Sequence, residues 1–500
     1  MKKSEERKIV IFFALTTCYI IKCAAHKEHT NGLSSKLLII SFDGFRWDYL
    51  QKTNTPNFDK FLRGGVHARL GLKNAFVTNT FPNHFTLVTG MWENIHGIIN
   101  NEMYDPVLNE TFAPWMKKAL SDPAWFSVGA EPIWVTNQLQ KPNGRSGVIM
   151  WVGADAPIKW VQPSRFIPFN ESIKEYDKVD TLIKWFTDQY PINLGLLYSM
   201  QPDEDGHVYG PDSTEVIDRI AQLDEVVGYL LDQLERHHLL EDLNIIITSD
   251  HGFSSTPKEK EINLDAFIDA SSYMITGLSP VANIWPKEAK MEEIFQNLTR
   301  GASHNGHFIV YKKEDIPDTF HYKYNRRIPP ILAVAENHFS FSTEKEPWSM
   351  LGDHGYSNSY QDMHPFFLAM GPSFKKGYSV DTFNSVDVYS LMCHLLQLRP
   401  APNNGSMSVV KTLLLEQEES TSMMTFMTYL IGGLLVSSVA SIFMFGVCRY
   451  RRYLSSQKRF DYSHMGVRSN LSTFVGSTMT RELSSPEKVS SIFPLMSDSD

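Results

Sequence analysis

Short apolar runs rich in β-branched residues alternate with helical patterns along most of the chain, and this alternation restricts the fold more than any other feature. The four clearest runs are Leu37 to Phe42, Leu194 to Met200, Asn244 to Thr248 and Phe366 to Met370. The clearest helical pattern extends from about Glu215 to His238, with capping candidates at residues 212–214. Strands that alternate with helices form parallel or mixed sheets. The sequence therefore predicts an α/β fold with a central mixed, mostly parallel sheet and helices on both faces.

Acidic residues and histidines cluster where these runs end or begin. They are Asp43 after the first run, Asp203 and His207 after the second, Asp250 and His251 after the third, and Asp353 and His354 just before the fourth. Ligands of open α/β sheets bind beyond the carboxyl ends of the strands. We therefore expect these side chains to converge although they are far apart in the sequence.

Each pair also has a simpler interpretation. The spacing of Asp203 and His207 suits one face of a helix, but their segment, QPDEDGHVYGP, has prolines near both ends and glycines inside, which favours a loop. Taken alone, Asp250 and His251 are explained equally well without a metal, with Asp250 as a helix cap and His251 as an imidazole at the surface. Together, the three Asp that follow strands, Asp43, Asp203 and Asp250, and the three His fit ligation of a divalent transition metal, with zinc the leading candidate. Six ligands are too many for one catalytic zinc and favour a two-metal site.

Thr80 is the candidate nucleophile. It precedes Phe81, Pro82 and an apolar helical pattern, which predicts that Thr80 is a helix N-cap with Pro82 in the first turn. A helix N-terminus and an adjacent metal would both stabilise the threonine alkoxide, which does not form at neutral pH in isolation. A lone Thr-Phe-Pro sequence is better explained by capping, and only the metal ligands favour the nucleophile.

Two apolar segments predict the compartment. Residues 1–25 begin with lysines, continue as an apolar run and end in Cys-Ala-Ala, which is typical of a secretory signal, with an uncleaved anchor as the alternative. Residues 426–447 carry no charge and would form a helix about 33 Å long, enough to cross a membrane. Three arginines follow within residues 449–452, so the positive-inside rule leaves the C-terminus in the cytosol.

We therefore expect a single-pass type I protein of the cell membrane. Its predicted parts are a signal sequence 1–25, a short segment 26–35, an extracellular domain 36–405, a stalk 406–425, a transmembrane helix 426–447 and a disordered cytoplasmic tail 448–500. Four sequons predict extracellular glycosylation at Asn109, Asn170, Asn297 and Asn404. No partner of the tail is predicted.

Charge and cysteine content narrow the function. A net charge of −9 and a pI near 6.0 disfavour binding of a nucleic-acid polymer through its phosphates. A small anionic substrate is still compatible with this charge, because bound metals supply local positive charge. Of four cysteines, only Cys393 lies in the predicted extracellular domain, so no disulfide is expected within it.

Five motifs follow one another along the chain: SFDGFRWDYL, TNTFPNHFTLVTGMWENIHGIINNEMYD, QPDEDGHVYGP, SDHG and GDHGYSN. In this order they resemble the ectonucleotide pyrophosphatase/phosphodiesterase family of the alkaline phosphatase superfamily, over about residues 36–400. The single extracellular domain, the C-terminal span and the segment TNQL are most similar to the short, membrane-anchored fourth and fifth members. The resemblance implies an alkaline-phosphatase-like fold.

The resemblance also implies two zinc ions and a role for each matching residue. One zinc would be bound by Asp203, His207 and His354, and the other by Asp43, Thr80, Asp250 and His251. Asn101 matches the asparagine that, with Thr80, binds the reacting phosphoryl oxygen. Phe81 and Tyr198 match the aromatic pair that stacks the nucleobase.

The implied activity is zinc-dependent hydrolysis of phosphodiester or pyrophosphate bonds in extracellular nucleotides, such as dinucleoside polyphosphates, ADP, ATP and NAD. It releases nucleoside 5′-monophosphates through a nucleotidyl-threonine. Departures from the family pattern at Val152, Ala154 and Phe253 bear on substrate preference and remove no ligand. The alternatives are a choline-phospholipid phosphodiesterase with the same metal site and a catalytically silent surface receptor or adhesion protein. The complete ligand set argues against the silent protein, because buried charges are costly without metal.

Overall fold

The computed structural model of the protein describes residues 35–416 and 420–463, and the chain divides into two compact units, up to Glu416 and from Gln417. The predicted signal sequence and the end of the predicted tail lie outside the described residues. The first unit contains the strands β1 Lys36–Phe42, β2 Val66–Ala68, β3 Met103–Asp105, β4 Glu110–Phe112, β5 Ser146–Ile149, β6 Arg165–Ile167, β7 Leu194–Ser199, β8 Leu243–Thr248, β9 Ser254–Ser255, β10 Glu261–Asn263, β11 Tyr273–Ile275, β12 Val281–Pro286, β13 Phe308–Lys312, β14 Ile331–Ala335, β15 Ser340–Ser342, β16 Gly352–Asp353, β17 Phe367–Met370 and β18 Tyr378–Val380.

Helices connect most of these strands. The α-helices are α1 Phe58–Gly64, α2 Thr80–Thr89, α3 Glu93–His96, α4 Lys117–Ser121, α5 Pro123–Phe126, α6 Ile133–Gln140, α7 Glu175–Thr187, α8 Asp203–Tyr209, α9 Thr214–Arg236, α10 Met291–Asn305, α11 Asp387–Leu395, α12 Met407–Val410 and α13 Ser420–Ser463. Short 3₁₀ helices occupy Tyr49–Gln51, Lys258–Lys260, Leu264–Ala266, Ala270–Ser272, Lys313–Asp315, Asp318–Phe320, Gln361–Met363 and Lys411–Leu413.

The central sheet has eight strands in the order β18-β2-β17-β8-β1-β7-β5-β6. All neighbouring pairs are parallel except those of β17, which runs antiparallel to β8 and β2. The predicted mixed, mostly parallel sheet is therefore confirmed. Every residue of β7 and β8 is buried, which explains why these strands are continuous apolar runs and not alternating ones.

Two neighbouring residues of β7 show that helices cover both faces of this sheet. The Tyr198 ring packs edge to face against His84 of α2, whereas the Ser199 hydroxyl donates a hydrogen bond to Glu175 of α7. Adjacent residues of a strand point to opposite faces. Helices α2 and α7 therefore lie on opposite sides of the sheet, as the apolar pattern of the strands predicts.

A second, smaller layer was not anticipated from the sequence. Strands β11, β12, β14 and β13 form an antiparallel sheet with an apolar core of its own, in which Ile294 and Leu298 of α10 are buried. Its strands are three to six residues long and lie among 3₁₀ turns, so their alternation is too short to stand out in the sequence.

Two helices test local interpretations of the sequence. Helix α9 begins at Thr214, where the Ser213 hydroxyl accepts a hydrogen bond from the Val216 amide, and this confirms one of the capping candidates. The expectation of a loop in QPDEDGHVYGP is wrong, because residues 203–209 form helix α8. Pro202 and Gly210 bound the helix: Pro202 occupies the N-cap position, and Gly210, with φ of 89°, follows its last residue. Gly206 lies inside the helix without interrupting it.

The folded first unit and the C-terminal helix both extend beyond their predicted ends at residues 405 and 447. Val410 and Leu413, in the predicted stalk, are fully buried, so the first unit continues past residue 405.

In the second unit, residues 427–457 form one helix long and apolar enough to cross a membrane. Helix α13 continues to Ser463, so residues 448–463 of the predicted tail are helical and not disordered. Nothing interrupts the helix there, since this stretch contains neither proline nor glycine.

Candidate active site and metal centre

The carboxyl ends of β1 and β8 bring three of the predicted ligands together. The two strands are parallel neighbours, so Asp43 at the end of β1 lies beside Asp250 and His251 after β8. The His251 Nε2 atom is 3.2 Å from Asp43 Oδ1 and 3.1 Å from Asp250 Oδ2. All three side chains are buried, which excludes the surface imidazole considered for His251. We call these three residues the buried group.

A second group forms at the edge of the first. Asp203 and His207 lie one turn apart on α8, and His354 follows β16. Asp203 Oδ2 is 3.5 Å from His207 Nε2, and Asp203 Oδ1 is 3.3 Å from His354 Nε2. Within each group, one ligand atom per residue lies within 4.8 Å of the others. We call Asp203, His207 and His354 the edge group.

The two groups adjoin each other. The rings of His251 and His354 stack at 3.6 Å with an angle of 12° between their planes, and His251 Nε2 is 4.0 Å from Asp203 Oδ1. The fold therefore brings all six predicted Asp and His ligands into one continuous cluster. Asp353 stands apart in its contacts, because its carboxylate accepts hydrogen bonds from Ser279 and from the amide of His354.

Backbone carbonyls fix the orientation of all three imidazoles. The Nδ1 atoms of His207, His251 and His354 lie 3.0, 2.9 and 3.1 Å from the carbonyls of Gly352, Gly252 and Thr78, respectively. A carbonyl only accepts, so each Nδ1 carries the proton and donates it. Each Nε2 then presents a lone pair to the carboxylates, which is the orientation found in metal-binding histidines.

The carboxylates lack the donors that their burial requires. Asp43 Oδ1, Asp203 Oδ1 and Asp250 Oδ2 are buried and have no hydrogen-bond partner among the described residues. The nearby Nε2 atoms do not satisfy them, because lone pairs then face lone pairs at 3.1 to 3.3 Å. A cation between these atoms would satisfy both sets, so the residues present fit a divalent metal.

Proton affinities agree with this fit. Burial, together with the carboxylates of Asp250 and Asp203, raises the pKa of Asp43 well above its usual value, and burial raises the pKa of Asp203 to about 7. Burial and the imidazoles of His251 and His207 lower the pKa of His354. Asp43 and Asp203 therefore resist ionising and His354 stays neutral, whereas for Asp250 burial, which raises the pKa, is outweighed by the imidazoles of His251 and His84, which hold the pKa below its usual value. A bound cation would stabilise the ionised forms of Asp43 and Asp203.

Thr80 lies at the start of α2, against the buried group. The helix begins at Thr80 and its N-cap is Asn79, so the predicted cap position is one residue too late. The reason is that Asn79, not Thr80, has the extended backbone of a cap, with φ −108° and ψ 161°. The Thr80 hydroxyl is 3.4 Å from His251 Nε2. It is half-buried and lines the pocket described below.

A chain of asparagines orients Asn101 beside Thr80. Asn101 Oδ1 accepts a hydrogen bond of 2.8 Å from the backbone amide of Phe81, and the backbone amide of Asn101 donates one to Asn100 Oδ1. The Asn100 oxygen also accepts from Asn79 Nδ2 at 2.6 Å. Because the Asn101 oxygen is engaged by α2, its Nδ2 group remains as a donor, and Asn101 lines the pocket.

The pocket beside these groups has a volume of about 230 Å³ and a mostly apolar wall. Phe81 and Tyr198, the predicted aromatic pair, both line it. Tyr198 also has a contact that was not predicted: its hydroxyl donates a hydrogen bond of 2.5 Å to Asp43 Oδ2. Its ring is buried, so Tyr198 links the floor of the pocket to the buried group.

Two residues at the site were missed in the sequence. Phe169 lines the pocket with 45% of its surface exposed, and its ring centroid is 6.4 Å from that of Tyr198. It lies in a loop after β6, where no periodic pattern marks it. His84 is fully buried, and its Nδ1 lies 2.9 Å from the Thr80 carbonyl and 3.2 Å from Asp250 Oδ2. The i, i+4 spacing from Thr80 on a predicted helix was a usable signal for it.

The side chains of the predicted glycosylation sites form no hydrogen bond with this cluster in the described part of the chain. Asn109, Asn170 and Asn404 are exposed, whereas Asn297 is half-buried on α10. The Asn109 side chain accepts a hydrogen bond from Tyr104, and that of Asn170 accepts from Ser172 within its own sequon.

A comparison with protein families identifies the class to which this fold and site belong. Residues 37–357 match the family described as type I phosphodiesterase/nucleotide pyrophosphatase. The match covers more than half of the chain and includes every predicted metal ligand. The protein therefore belongs to this family of enzymes, as the five motifs indicated.

Individual relatives place the chain more closely within the family. It is 45% identical over 379 residues to human ectonucleotide pyrophosphatase/phosphodiesterase family member 5, and the aligned region covers 76% of this chain and 78% of that protein. It is 41% identical over 411 residues to mouse bis(5′-adenosyl)-triphosphatase, and the aligned region covers 82% of this chain and 86% of that protein. The solved structure of murine family member 5, an inactive threonine-to-alanine variant in complex with AMP, matches with a TM-score of 0.73 and 44% identity, over 76% of this chain and all of that one.

Proposed function

We propose that the protein is a zinc-dependent ectoenzyme that hydrolyses phosphodiester or pyrophosphate bonds of extracellular nucleotides and releases nucleoside 5′-monophosphates. The observation that carries this proposal is the meeting of unprotonated Nε2 atoms and unpartnered carboxylate oxygens next to a threonine hydroxyl at a pocket wall. Such a cluster is costly to bury unless it binds a cation, which speaks against a catalytically silent receptor.

The relatives support the nucleotide as substrate. One is named a bis(5′-adenosyl)-triphosphatase, and a variant of another, inactive after a threonine was replaced by alanine, is described in complex with AMP. AMP is a nucleoside 5′-monophosphate, the class of product proposed here. We therefore favour dinucleoside polyphosphates, ADP, ATP and NAD-like dinucleotides as the substrate class over choline phospholipids.

The proposed metal ligands fall into the edge group and the buried group defined above. The edge group would hold one zinc, and the buried group with Thr80 would hold the other. Imidazole nitrogen and carboxylate oxygen are ligands that zinc accepts, and a three-residue set leaves positions open for substrate. When bound, the metals would lower the pKa of the Thr80 hydroxyl and offset the negative charge of the phosphoryl group.

The residues of the chain then perform the displacement. The Thr80 oxygen attacks the phosphorus, the P–O bond to the leaving group breaks, and a nucleotidyl-threonine ester forms. Asn101 Nδ2 donates to a phosphoryl oxygen, an interaction that strengthens as charge develops there. Water then attacks the same phosphorus and releases the monophosphate and free Thr80. Phe81 and Phe169, together with Tyr198 on the pocket floor, supply apolar faces for the nucleobase.

We also propose that this chemistry takes place outside the cell. The predicted signal sequence, the apolar helix within residues 427–457 and the arginines at 449–452, which follow its uncharged part, support a type I orientation. Intact cells should then hydrolyse nucleotide added to the medium, and external glycosidase should remove glycans at Asn109, Asn170, Asn297 and Asn404. Staining of unpermeabilised cells by an antibody against the tail would reverse the orientation.

The full chain, purified in detergent, provides the test of activity. We expect release of AMP from diadenosine triphosphate, loss of activity with a chelator, and recovery with added zinc. Metal analysis should give two zinc ions per chain. Faster hydrolysis of glycerophosphocholine than of every nucleotide would favour the choline-phospholipid alternative. Full activity in the chelated protein would contradict the metal mechanism.

A further inference from the structure

The pocket wall contains acidic side chains and, among the described residues, no basic ones. Four of the residues that line the pocket are acidic: Asp43, Asp155, Asp203 and Glu204. No lysine, arginine or histidine lines the pocket within the described part of the chain. Sites built to bind several phosphates normally place arginine or lysine around them. A pocket without such residues depends on bound metal for all of its positive charge.

Asp155, which is half-buried, and Glu204 are the two acids of the pocket wall that are neither proposed metal ligands nor part of an ion pair among the described residues. Glu204 is the more accessible of the two. It is exposed, lies next to Asp203 at the start of α8, and accepts a hydrogen bond of 2.9 Å from the neutral amide of Gln201. It forms no ion pair with any residue that the structure describes. Its neighbour Asp205 does not line the pocket and is paired with Arg219 Nε at 2.7 Å.

The local charge balance shows what Glu204 can do. The two divalent ions proposed above would bring four positive charges against the three ligand carboxylates of Asp43, Asp203 and Asp250. One positive charge remains, which the Glu204 carboxylate cancels, and Asp155 on the same wall adds further negative charge. The field in the pocket therefore gives no net attraction to phosphates beyond the one that reacts.

We propose that Glu204 is a specificity-determining residue that selects against substrates with additional phosphate charge. The substrates it favours are diesters and dinucleotides whose groups beyond the reacting phosphate are neutral or cationic. This inference rests on the proposed function and specifies its substrate class. A unit charge at roughly 7 Å in a water-filled pocket changes relative rates by about 3-fold for each substrate charge.

The test compares two charge-removing variants of the full chain. Glu204→Gln removes the unpaired carboxylate on the pocket wall, and Asp205→Asn removes an equal charge one residue away that is paired with Arg219. The substrates are ATP, with a charge near −4, and the p-nitrophenyl ester of thymidine 5′-monophosphate, with a charge of −1. Assays contain no added magnesium, so that these charge differences are kept.

We expect Glu204→Gln to raise the ratio of kcat/KM for ATP to that for the ester by about 10-fold or more, since three charges separate the substrates. The change should shrink in 0.5 M salt, because exposed charges are then screened. Asp205→Asn should leave the ratio as in wild type. An unchanged ratio in Glu204→Gln, or an equal change in both variants, would overturn the inference.

A binding measurement separates failure of this inference from failure of the proposed function. In a Thr80→Ala background, Glu204→Gln should tighten ATP binding by about 10-fold or more while changing AMP binding much less. Equal effects on the two ligands would overturn the charge selection, even if the wild-type enzyme hydrolyses nucleotides. Absence of turnover and of binding for every nucleotide would overturn the proposed function itself, and this inference with it.

Discussion

The two ligand groups differ in how the chain builds them. The side chains of Asp43, Asp250 and His251 are at most 2% exposed, whereas those of Asp203 and His207 are 17% and 22% exposed. The buried group follows two neighbouring parallel strands whose register is fixed over six residues. The edge group depends on a seven-residue helix and on the loop that carries His354.

This difference predicts unequal metal sites. A ligand at the end of a central strand moves only if the sheet moves, so the buried group is preorganised before metal arrives. A short helix is only marginally stable by itself, and metal binding contributes to ordering it. We therefore expect the edge metal to exchange first and the buried metal to exchange last.

The largest effect tests whether Thr80 belongs to the chemistry or to the coordination of the buried group. Thr80→Ala should lower kcat by at least about 10³-fold, because the nucleophile is lost. Its zinc content should stay near the wild-type value, since side chains of the buried group supply most of the contacts. Thr80→Ser should recover part of the activity. More than a small residual rate in the alanine variant would contradict the covalent mechanism.

Removing one ligand from each group tests the comparison directly. His207→Ala should lower zinc content to about one ion per chain, and the remaining ion should resist a chelator. Asp250→Ala should lose the tightly bound ion and weaken the other, because its carboxylate lies between neighbouring imidazoles. Metal analysis during stepwise chelation provides the measurement. Loss of the same ion in both variants would show that the groups act as one site.

His84 should make the buried group more rigid from behind. Its Nδ1 donates to the Thr80 carbonyl and lies beside Asp250, and its Nε2 is 2.8 Å from the Ser41 hydroxyl. His84→Leu should weaken metal binding about 10- to 100-fold, the range for residues behind metal ligands. His84→Asn, which keeps a donor near the Nδ1 position, should recover much of the loss.

A matched control for His84 exists on a neighbouring helix. His96 is also fully buried, and its Nε2 is 2.9 Å from Thr86 of α2, but it contacts none of the six ligands in the described structure. His96→Leu should lower the melting temperature without a comparable change in metal affinity. Equal loss of metal affinity in both variants would reduce the role of His84 to packing.

The smallest effects separate the pocket floor from the pocket mouth. Tyr198→Phe removes the hydroxyl that donates to Asp43 and should lower kcat/KM by about 10-fold, equally for an adenine nucleotide and for a small chromogenic diester. Phe169→Ala should weaken only the adenine nucleotide, by about 5-fold or more, because the small ester has no base to stack. A base-selective loss in Tyr198→Phe would place the hydroxyl in base recognition and not in support of Asp43.

Strand patterns in the sequence were enough to locate the buried group. Asp43, Asp250 and His251 follow long apolar runs directly, and neighbouring parallel strands bring their carboxyl ends together whatever the details of the loops. Helix α9 was equally predictable, because its apolar period extends over more than 20 residues. The role of Asn101 came from the motif resemblance and not from such a pattern.

Tertiary structure decided the rest. Residues 203–209 become a helix although the glycine among them and the prolines on either side favour a loop, and the resulting turn brings His207 and Asp203 to His354, about 150 residues later in the chain. The hydrogen bond from Tyr198 to Asp43 and the carbonyls that orient His207 and His354 also join residues that are distant in sequence, and the place of Phe169 in the pocket depends on such neighbours too. A local pattern records propensity and periodicity, whereas these contacts depend on where the backbone of another segment passes, and only the folded chain determines that.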